Sequence, residues 1–275
     1  MISLTNAEVA HLNCSPGLDR HGATPSTLPM FEVLGVPIAL VDREKLITKL
    51  DELLSEGRKG WISYVNIHSL NLAFEIPLLK QYFRNSLLNY CDGAGVQLGA
   101  RILGRKIPEK LTLPDFFEDL CSLAEKKRYR FFFLGSSSES LASAIRAIRT
   151  LYPNLDIGGS HHGYFDRSNG IDIVRLINKV KPHILFVGMD MPVQEEWVQR
   201  NLPMLEVNVV WTGGGIFELL SGNRKRAPRW MSQNGLEWLY RLLQEPGRLW
   251  KRYLVGNPLF LYRIARQRMN RSIPE

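Results

Sequence analysis

The chain is short of the features that commit a sequence to several common classes. It has three cysteines in 275 residues, Cys14, Cys91 and Cys121. They are too few for a disulfide framework and too widely spaced for a CxxC zinc pair, and a reducing cytoplasm is the expected setting. No apolar run approaches the roughly 18 residues needed to span a bilayer. The start of the chain lacks the basic residues and apolar stretch of a secretory signal, so none is expected. There is no Asp-x-Asp, the usual cue for a divalent ion on a sugar-nucleotide pyrophosphate. A GxSxG elbow and a GxxxxGK[ST] phosphate loop are absent as well. His161-His162 have no Cys or Glu at ligand spacing and read as loop residues before Gly163-Tyr164-Phe165. No metal site and no cofactor are expected.

What is present is ordinary globular material, with 45% hydrophobic, 10% aromatic and 23% charged residues. The net charge of +8 is unevenly placed. Residues 223–275 carry 12 Lys/Arg against 3 Asp/Glu, whereas residues 1–222 carry 23 against 24. The same last fifth holds Trp230, Trp238 and Trp250, half of the six tryptophans. A basic, aromatic-rich helical tail on a neutral body reads as a binder of anionic surfaces. Nucleic acid is the rival partner, and a solvated helix face with aromatics in the core is the plainer alternative.

Residues 1–30 hold three charged residues among scattered Pro, Ser, Thr, Asn and Gly and read as a disordered leader. From Phe31 an extended, hairpin-like segment runs to Val41. Beyond it, short apolar strands alternate with helices. Strands are expected at Trp61–Asn66, Leu87–Cys91, Arg130–Leu134, Leu155–Gly158, Ile184–Val187 and Val207–Trp211. Helices are expected from an Asp42 cap to Ser55, over Ser69–Phe83 with a break at Pro77, and over Gly95–Leu103. Further helices follow Thr112, with Asp115 completing a variant capping box, and cover Ser138–Leu151, Ile171–Val180 and Pro192–Asn201. This order predicts an α/β fold, a Rossmann-like, mainly parallel sheet covered by helices on both faces. After Gly222 only helical pattern continues. The division is therefore a leader (1–30), a core (31–222) and a C-terminal helical appendage (223–275).

Three expected strands end in a glycine-bearing turn and then a helix, at Gly135, Gly188 and Gly213-Gly214-Gly215. Ligands of open α/β sheets bind beyond the carboxyl ends of strands, and glycine lets backbone N–H groups approach a phosphate. Together the turns suggest a crevice for a nucleotide or nucleotide-sugar. In Cys91-Asp92-Gly93-Ala94-Gly95-Val96 the glycines Gly93, Gly95 and Gly99 miss the dinucleotide spacing by one residue. A carboxylate there, at a strand end between two glycines, has the placement of a base that takes a proton from an attacking hydroxyl. The alternative is an Asp that caps the following helix. In Pro246–Leu254, Leu249, Trp250, Tyr253 and Leu254 share one helical arc, opposite Arg248, Lys251 and Arg252. That is the pattern of a helix lying in a membrane interface, or of one packing Leu249 and Tyr253 on the core.

These residues resemble the WecG/TagA/CpsF family of bacterial glycosyltransferases, from about Phe31 to about Phe260. The resemblance rests on the Asp92–Val96 turn, Gly163-Tyr164-Phe165, Val187-Gly188 and Pro192-x-Gln194-Glu195-x-Trp197. It continues through Gly214-Gly215-x-Phe217-Glu218, Lys225-Arg226-Ala227-Pro228, Gly235-Leu236-Glu237-Trp238-x-x-Arg241-Leu242, Glu245-Pro246-x-Arg248-Leu249-Trp250 and Arg252-Tyr253. It implies an inverting transfer of a hexose-type sugar from a UDP-sugar to a polyprenyl-diphosphate-linked saccharide, in the synthesis of a cell-surface polysaccharide. N-acetylmannosamine, its uronic acid and glucose are the family's sugars. The implied general base is Asp92, and Gln194 matches a glutamine near the sugar site. The basic tail is implied to dock on the inner face of the cytoplasmic membrane as a peripheral attachment, closing the site. The chain departs from the pattern at Tyr64, Lys110, Leu113, Asp190 and Val193, which leaves the sugar open.

The expected site is then Asp92 as base, and Asn66 and Gln194 orienting the donor sugar. Leaving-group stabilisation is expected from the N–H groups of Gly213, Gly214 and Gly215 together with Arg226. Arg241, Arg248, Trp250, Lys251 and Arg252 are candidates for the membrane surface and acceptor. Expected partners are the UDP-sugar, the lipid-linked acceptor and an anionic membrane, without nucleic acid, and a homo-oligomer is left open. A nicotinamide-dependent oxidoreductase is the rival on the same sheet. The glycine spacing and the lack of a ribose-binding acid at the right distance count against it. A nucleic-acid-binding module built on the tail is the second rival.

Overall fold

The computed structural model describes residues 28–166 and 170–271. The expected disordered leader therefore lies outside the described residues except at its end, where Met30 already starts a strand. Strands β1 (Met30–Val33) and β2 (Val36–Ala39) pair antiparallel about a Leu34-Gly35 turn. Asp42 caps α1 (Arg43–Ser55) by accepting from the Lys45 N–H, as its side chain and position predict.

The main sheet has six strands in the order β4-β3-β8-β7-β5-β6, and all of their pairings are parallel. They are β3 (Gly60–Val65), β4 (Leu88–Cys91), β5 (Phe131–Gly135), β6 (Ile157–His161), β7 (Ile184–Gly188) and β8 (Val209–Thr212). Helices α2 (Ile67–Glu75), α3 (Pro77–Asn85), α4 (Ala94–Ile102) and α5 (Leu113–Lys127) alternate with strands in the first half. The second half adds α6 (Ser138–Leu151), α7 (Ile171–Val180), α8 (Val193–Asn201) and the short α9 (Ile216–Leu220).

Both faces of the sheet are dry, which explains the unbroken apolar strands. Phe132, Leu134, Leu185, Val187 and Val210 join one core cluster, and Phe131, Phe133, Ile184, Phe186 and Trp211 the other. The split follows the period of two along each strand.

Beyond Gly222 the described chain is helical: α10 (Arg229–Gln233), α11 (Glu237–Gln244), α12 (Pro246–Trp250), a wider π-type turn at Lys251–Val255, and α13 (Gly256–Arg271). The change of composition at 222/223 does not mark a change of packing. Phe260 and Ile264 of α13 are fully buried in the same cluster as Leu70 of α2 and Ala100 of α4. Gly99 makes this close approach of α13 to α4 feasible, since a Cβ there would lie 2.7 Å from the Phe260 ring. Arg263 donates to the Asn71 carbonyl and side chain at 3.1 and 3.0 Å and pairs with Glu75 at 2.6 Å.

Several expected boundaries move. The strand placed at Leu155–Gly158 is β6, two residues later, so His161 is a strand residue and not part of a loop. The last sheet strand begins at Val209 and not at Val207. Asn66 is the N-cap of α2 and not the end of a strand. The Thr112–Asp115 capping box does not form. The Thr112 hydroxyl donates to the Asp115 carboxylate, whose other oxygen is engaged by Arg226.

Candidate active site

A cavity of about 290 Å³ opens over the carboxyl ends of β4, β3 and β8, where ligands of parallel sheets gather. Its walls come from widely separated parts of the chain. Tyr90 comes from β4 and Asp92 directly follows it, while Tyr64 comes from β3 and Asn66 and His68 from the start of α2. Gly213, Gly214 and Gly215 come from the turn after β8, and Thr112, Leu113 and Pro114 from the start of α5. Asp190 and Met191 lie on the turn after β7. The C-terminal segment closes the opposite side with Arg224, Arg226, Glu237, Arg241, Arg248, Leu249 and Arg252. The cavity thus holds five arginines against three carboxylates.

Asp92 does not cap α4. That position belongs to Gly93, at φ +128°, a conformation that suits glycine alone among common residues. The Asp92 carboxylate faces the cavity instead, with Asn66 Nδ2 3.5 Å from its Oδ2. Burial first, and the Glu237 carboxylate second, push it up to about 6, while Arg241, Asn66 and Lys110 pull the other way. It is therefore ionised at neutral pH yet basic enough to take a proton.

The glycine turns divide. Gly135 and Gly188 do not line the cavity: a Cβ on Gly135 would fall 2.2 Å from the Gly188 carbonyl oxygen, so the two turns pack on each other. Of the glycines in these three turns, those at Gly213–Gly215 line the cavity, and their N–H groups are largely occupied. Gly213 donates to the Val187 carbonyl at 2.8 Å, and Gly214 donates to Gln194 Oε1 at 3.1 Å. The expectation that all three N–H groups face a leaving group is corrected for these two. Gln194 is also displaced from its expected role: it is fully buried behind the turn and does not line the cavity.

The arginines divide by partner. Arg226 pairs with Asp115, Arg224 with Glu245 at 3.5 Å, and Arg248 with Glu245 at 2.6 Å and Asp190 at 3.4 Å. Among the described residues, Arg241 and Arg252 have no carboxylate within ion-pairing distance. Arg252 Nε is buried without a hydrogen-bond partner. Arg226, expected to face a leaving group, lines the cavity and through Asp115 also ties the start of the C-terminal segment to α5. Lys110 adds a second tie, to Glu237 at 3.6 Å and the Ser232 hydroxyl at 3.3 Å.

The arc of α12 and the π-type turn that faces inward is rotated from the expected one. Arg248, Leu249, Arg252 and Tyr253 face the cavity and core, with Leu249 2% exposed and Tyr253 against Trp238. Trp250, Lys251, Leu254 and Val255 face outward, and Lys251 lies over the Trp250 ring. So of the five tail candidates, Arg241, Arg248 and Arg252 belong to the cavity, and Trp250 and Lys251 to the outer surface.

Sequence reasoning missed His68 as a wall residue and treated Tyr64 only as a departure. His68 sits two residues past the Asn66 cap, and burial and the Arg252 charge lower it to about 4, so it is neutral at physiological pH. Its place beside Asp92 follows from β3 lying next to β4, and its place near Arg252 from the packing of the C-terminal segment on α2, neither of which a local pattern announces. Asp190 lines the mouth beside Arg248. Among the described residues, no three His, Cys, Asp or Glu side chains converge as a metal site would require.

A crevice over the carboxyl ends of a parallel sheet, with a half-buried carboxylate across from two arginines that have no carboxylate partner among the described residues, has the placement of a ligand site in an α/β fold. The chain belongs to the glycosyl transferase WecG/TagA/CpsF family, whose model matches residues 31–274. It is similar to the N-acetylglucosaminyldiphosphoundecaprenol N-acetyl-beta-D-mannosaminyltransferase of Bacillus subtilis (strain 168), with 32% identity over 182 residues, 66% of this chain and 69% of that protein. A protein of the same name from Staphylococcus aureus (strain MW2) is 32% identical over 177 residues, 64% of this chain and 67% of that protein. The expected family, and with it a glycosyltransferase of cell-envelope polysaccharide synthesis, stands.

Proposed function

We propose that this glycosyltransferase moves a hexose-type sugar, of the N-acetylmannosamine, N-acetylmannosaminuronic acid or glucose type, from a UDP-sugar to a polyprenyl-diphosphate-linked saccharide, with inversion. The observation that carries the reading is Asp92, raised to about 6, across a cavity from two arginines without carboxylate partners. Asp92 takes the proton of the acceptor hydroxyl as that oxygen attacks the anomeric carbon. Arg241 and Arg252 face the diphosphate as its bond to the sugar breaks and charge develops on it. The Gly213–Gly215 turn is the close wall on the donor side, with the Gly215 N–H the one not assigned to an internal acceptor. Asn66 orients Asp92, and Gln194 holds the turn from behind.

The relatives named above act on a diphosphoundecaprenol-linked sugar by their names, which supports an acceptor held at a membrane surface here. No helix among the described residues is long and apolar enough to cross a membrane. The outward set Trp230, Leu243, Trp250, Leu254 and Val255, interleaved with Lys225, Arg229 and Lys251, suits peripheral docking on an anionic bilayer at its cytoplasmic face. With the cavity's positive charge coming from arginines, transfer proceeds without a divalent metal ion.

The test is a panel of UDP-sugars with a lipid-diphosphate saccharide, read as UDP release. One UDP-sugar is expected to support acceptor-dependent release that persists in EDTA. No release from any UDP-sugar, or release only after Mg²⁺ or Mn²⁺ is restored, contradicts the reading.

A further inference from the structure

We infer that Glu195 is a positioning residue for the proposed transfer, holding the Gly214 turn and Tyr64 in place through the side-chain amide of Gln194. The inference rests on the cavity being the transfer site. Gln194 and Glu195 lie in the first turn of α8, yet both are buried, Glu195 with 1% of its surface exposed.

A buried amide has two orientations that exchange its oxygen and nitrogen. Glu195 Oε1 accepts from Gln194 Nε2 at 2.7 Å, so the nitrogen is the end turned toward Glu195. That choice leaves Gln194 Oε1 to accept the Gly214 N–H at 3.1 Å and sets Nε2 3.4 Å from the Tyr64 hydroxyl. The flipped amide would set nitrogen against the N–H at Gly214 and would need a Glu195 proton on Oε1, whereas the observed one uses Oε1 as an acceptor and leaves Oε2 to carry the proton.

Gly214 lies in the left-handed region at φ +54°, and a Cβ there would stand 2.7 Å from the Tyr64 hydroxyl. One buried carboxyl thus sets two adjoining residues of the cavity wall. Its second oxygen, Oε2, has no hydrogen-bond partner. Burial pushes the carboxyl up to about 8, with the Gln194 hydrogen bond pulling the other way. At neutral pH it is mostly protonated, so glutamine is its close mimic.

The test compares Glu195→Gln, which keeps an acceptor facing Gln194, with Glu195→Leu, which keeps the volume and removes it. If the Leu variant does not fold, Glu195→Met, with its adaptable side chain, takes its place. Two readouts are taken, steady-state kinetics with the UDP-sugar and hydrogen exchange of the Gly214 amide. Glu195→Gln is expected to match the wild type in both. Glu195→Leu is expected to raise the donor KM on the order of tenfold with kcat changed far less, and to speed Gly214 exchange on the order of tenfold or more. Equal behaviour of the Gln and Leu variants, both normal or both impaired, overturns the inference. The exchange readout needs no substrate. If no protein, wild type included, turns over a UDP-sugar, the transfer reading falls while Gly214 exchange still decides the role of Glu195.

Discussion

The side-chain amide of Asn66 joins a helix cap to the Asp92 carboxylate. Its Oδ1 accepts the Ser69 N–H at 3.1 Å and caps α2, while its Nδ2 lies 3.5 Å from Asp92 Oδ2. The two functions separate by substitution. Asn66→Ser keeps a capping oxygen and should cost little stability, whereas Asn66→Ala should cost about 1 kcal/mol. Both remove the N–H facing Asp92, so in both the acid limb of the kcat/KM profile should move to higher pH. An unmoved limb with unchanged turnover in Asn66→Ser would show that the amide does not act on Asp92.

The sorting of the arginines predicts unequal effects. Arg241→Ala and Arg252→Ala remove cations with no carboxylate partner in the cavity and should lower kcat by about 10²–10³-fold. Arg226→Ala breaks the pair with Asp115 and leaves that carboxylate uncompensated, so Asp115→Asn in the same chain should recover much of its loss. A double-mutant cycle checks this. Additive losses at Arg226 and Asp115 would place Arg226 on the substrate after all.

The C-terminal helices should separate into membrane and core functions. Trp250→Ser with Leu254→Ser alters the outward face and should weaken co-sedimentation with anionic liposomes while leaving the thermal midpoint nearly unchanged. Phe260→Ala empties a buried site against Gly99 and should cost about 3–5 kcal/mol. Removing residues 224–275 would strip Phe260 and Ile264 from the core, so that truncation is expected to unfold the body and is a poor test of docking. Unchanged liposome binding in the double Ser variant would put the docking surface elsewhere.

Raising the pKa of Asp92 in the fold also has a sign for stability. Between its ordinary value of 3.8 and about 6 the folded state binds the proton more tightly than the unfolded chain. The contribution of Asp92 to stability therefore falls as pH rises through that window. Asp92→Asn should be more stable than the wild type at pH 7, and the gain should vanish below about pH 4. Denaturant titrations at pH 4 and pH 7 test this, and a variant less stable at pH 7 would show that the carboxylate is not held in a desolvated site.

Much of the fold is legible where local signals agree. Helix α6 has the Ser137 cap and a regular apolar face, and its ends match the expected ones. Strand β6 does not, because Ile157-Gly158-Gly159-Ser160-His161 has weak strand propensity and is held by pairing with β5 at the sheet edge. Asp92 is legible because a strand, two glycines and a helix surround it. Gln194 and Arg226 are legible as site-region residues but not in their roles, since their partners Gly214 and Asp115 lie 20 and 111 residues away. The rotated arc at Arg248–Tyr253 is hidden for a related reason. An amphipathic helix announces two faces, but only its neighbours decide which face holds a cavity.

The most direct measurement is UDP release by the wild type and Asp92→Asn with the productive UDP-sugar and a lipid-diphosphate saccharide, from pH 4.5 to 8.5, beside calorimetric titration of UDP. Wild-type kcat/KM should rise with pH through about 6, as the Asp92 carboxylate loses its proton. Asp92→Asn should bind UDP nearly as well and turn over about 10²–10⁴-fold more slowly. Near-normal turnover in the Asn variant, with the same rise near pH 6, would contradict the assignment of Asp92 as the base.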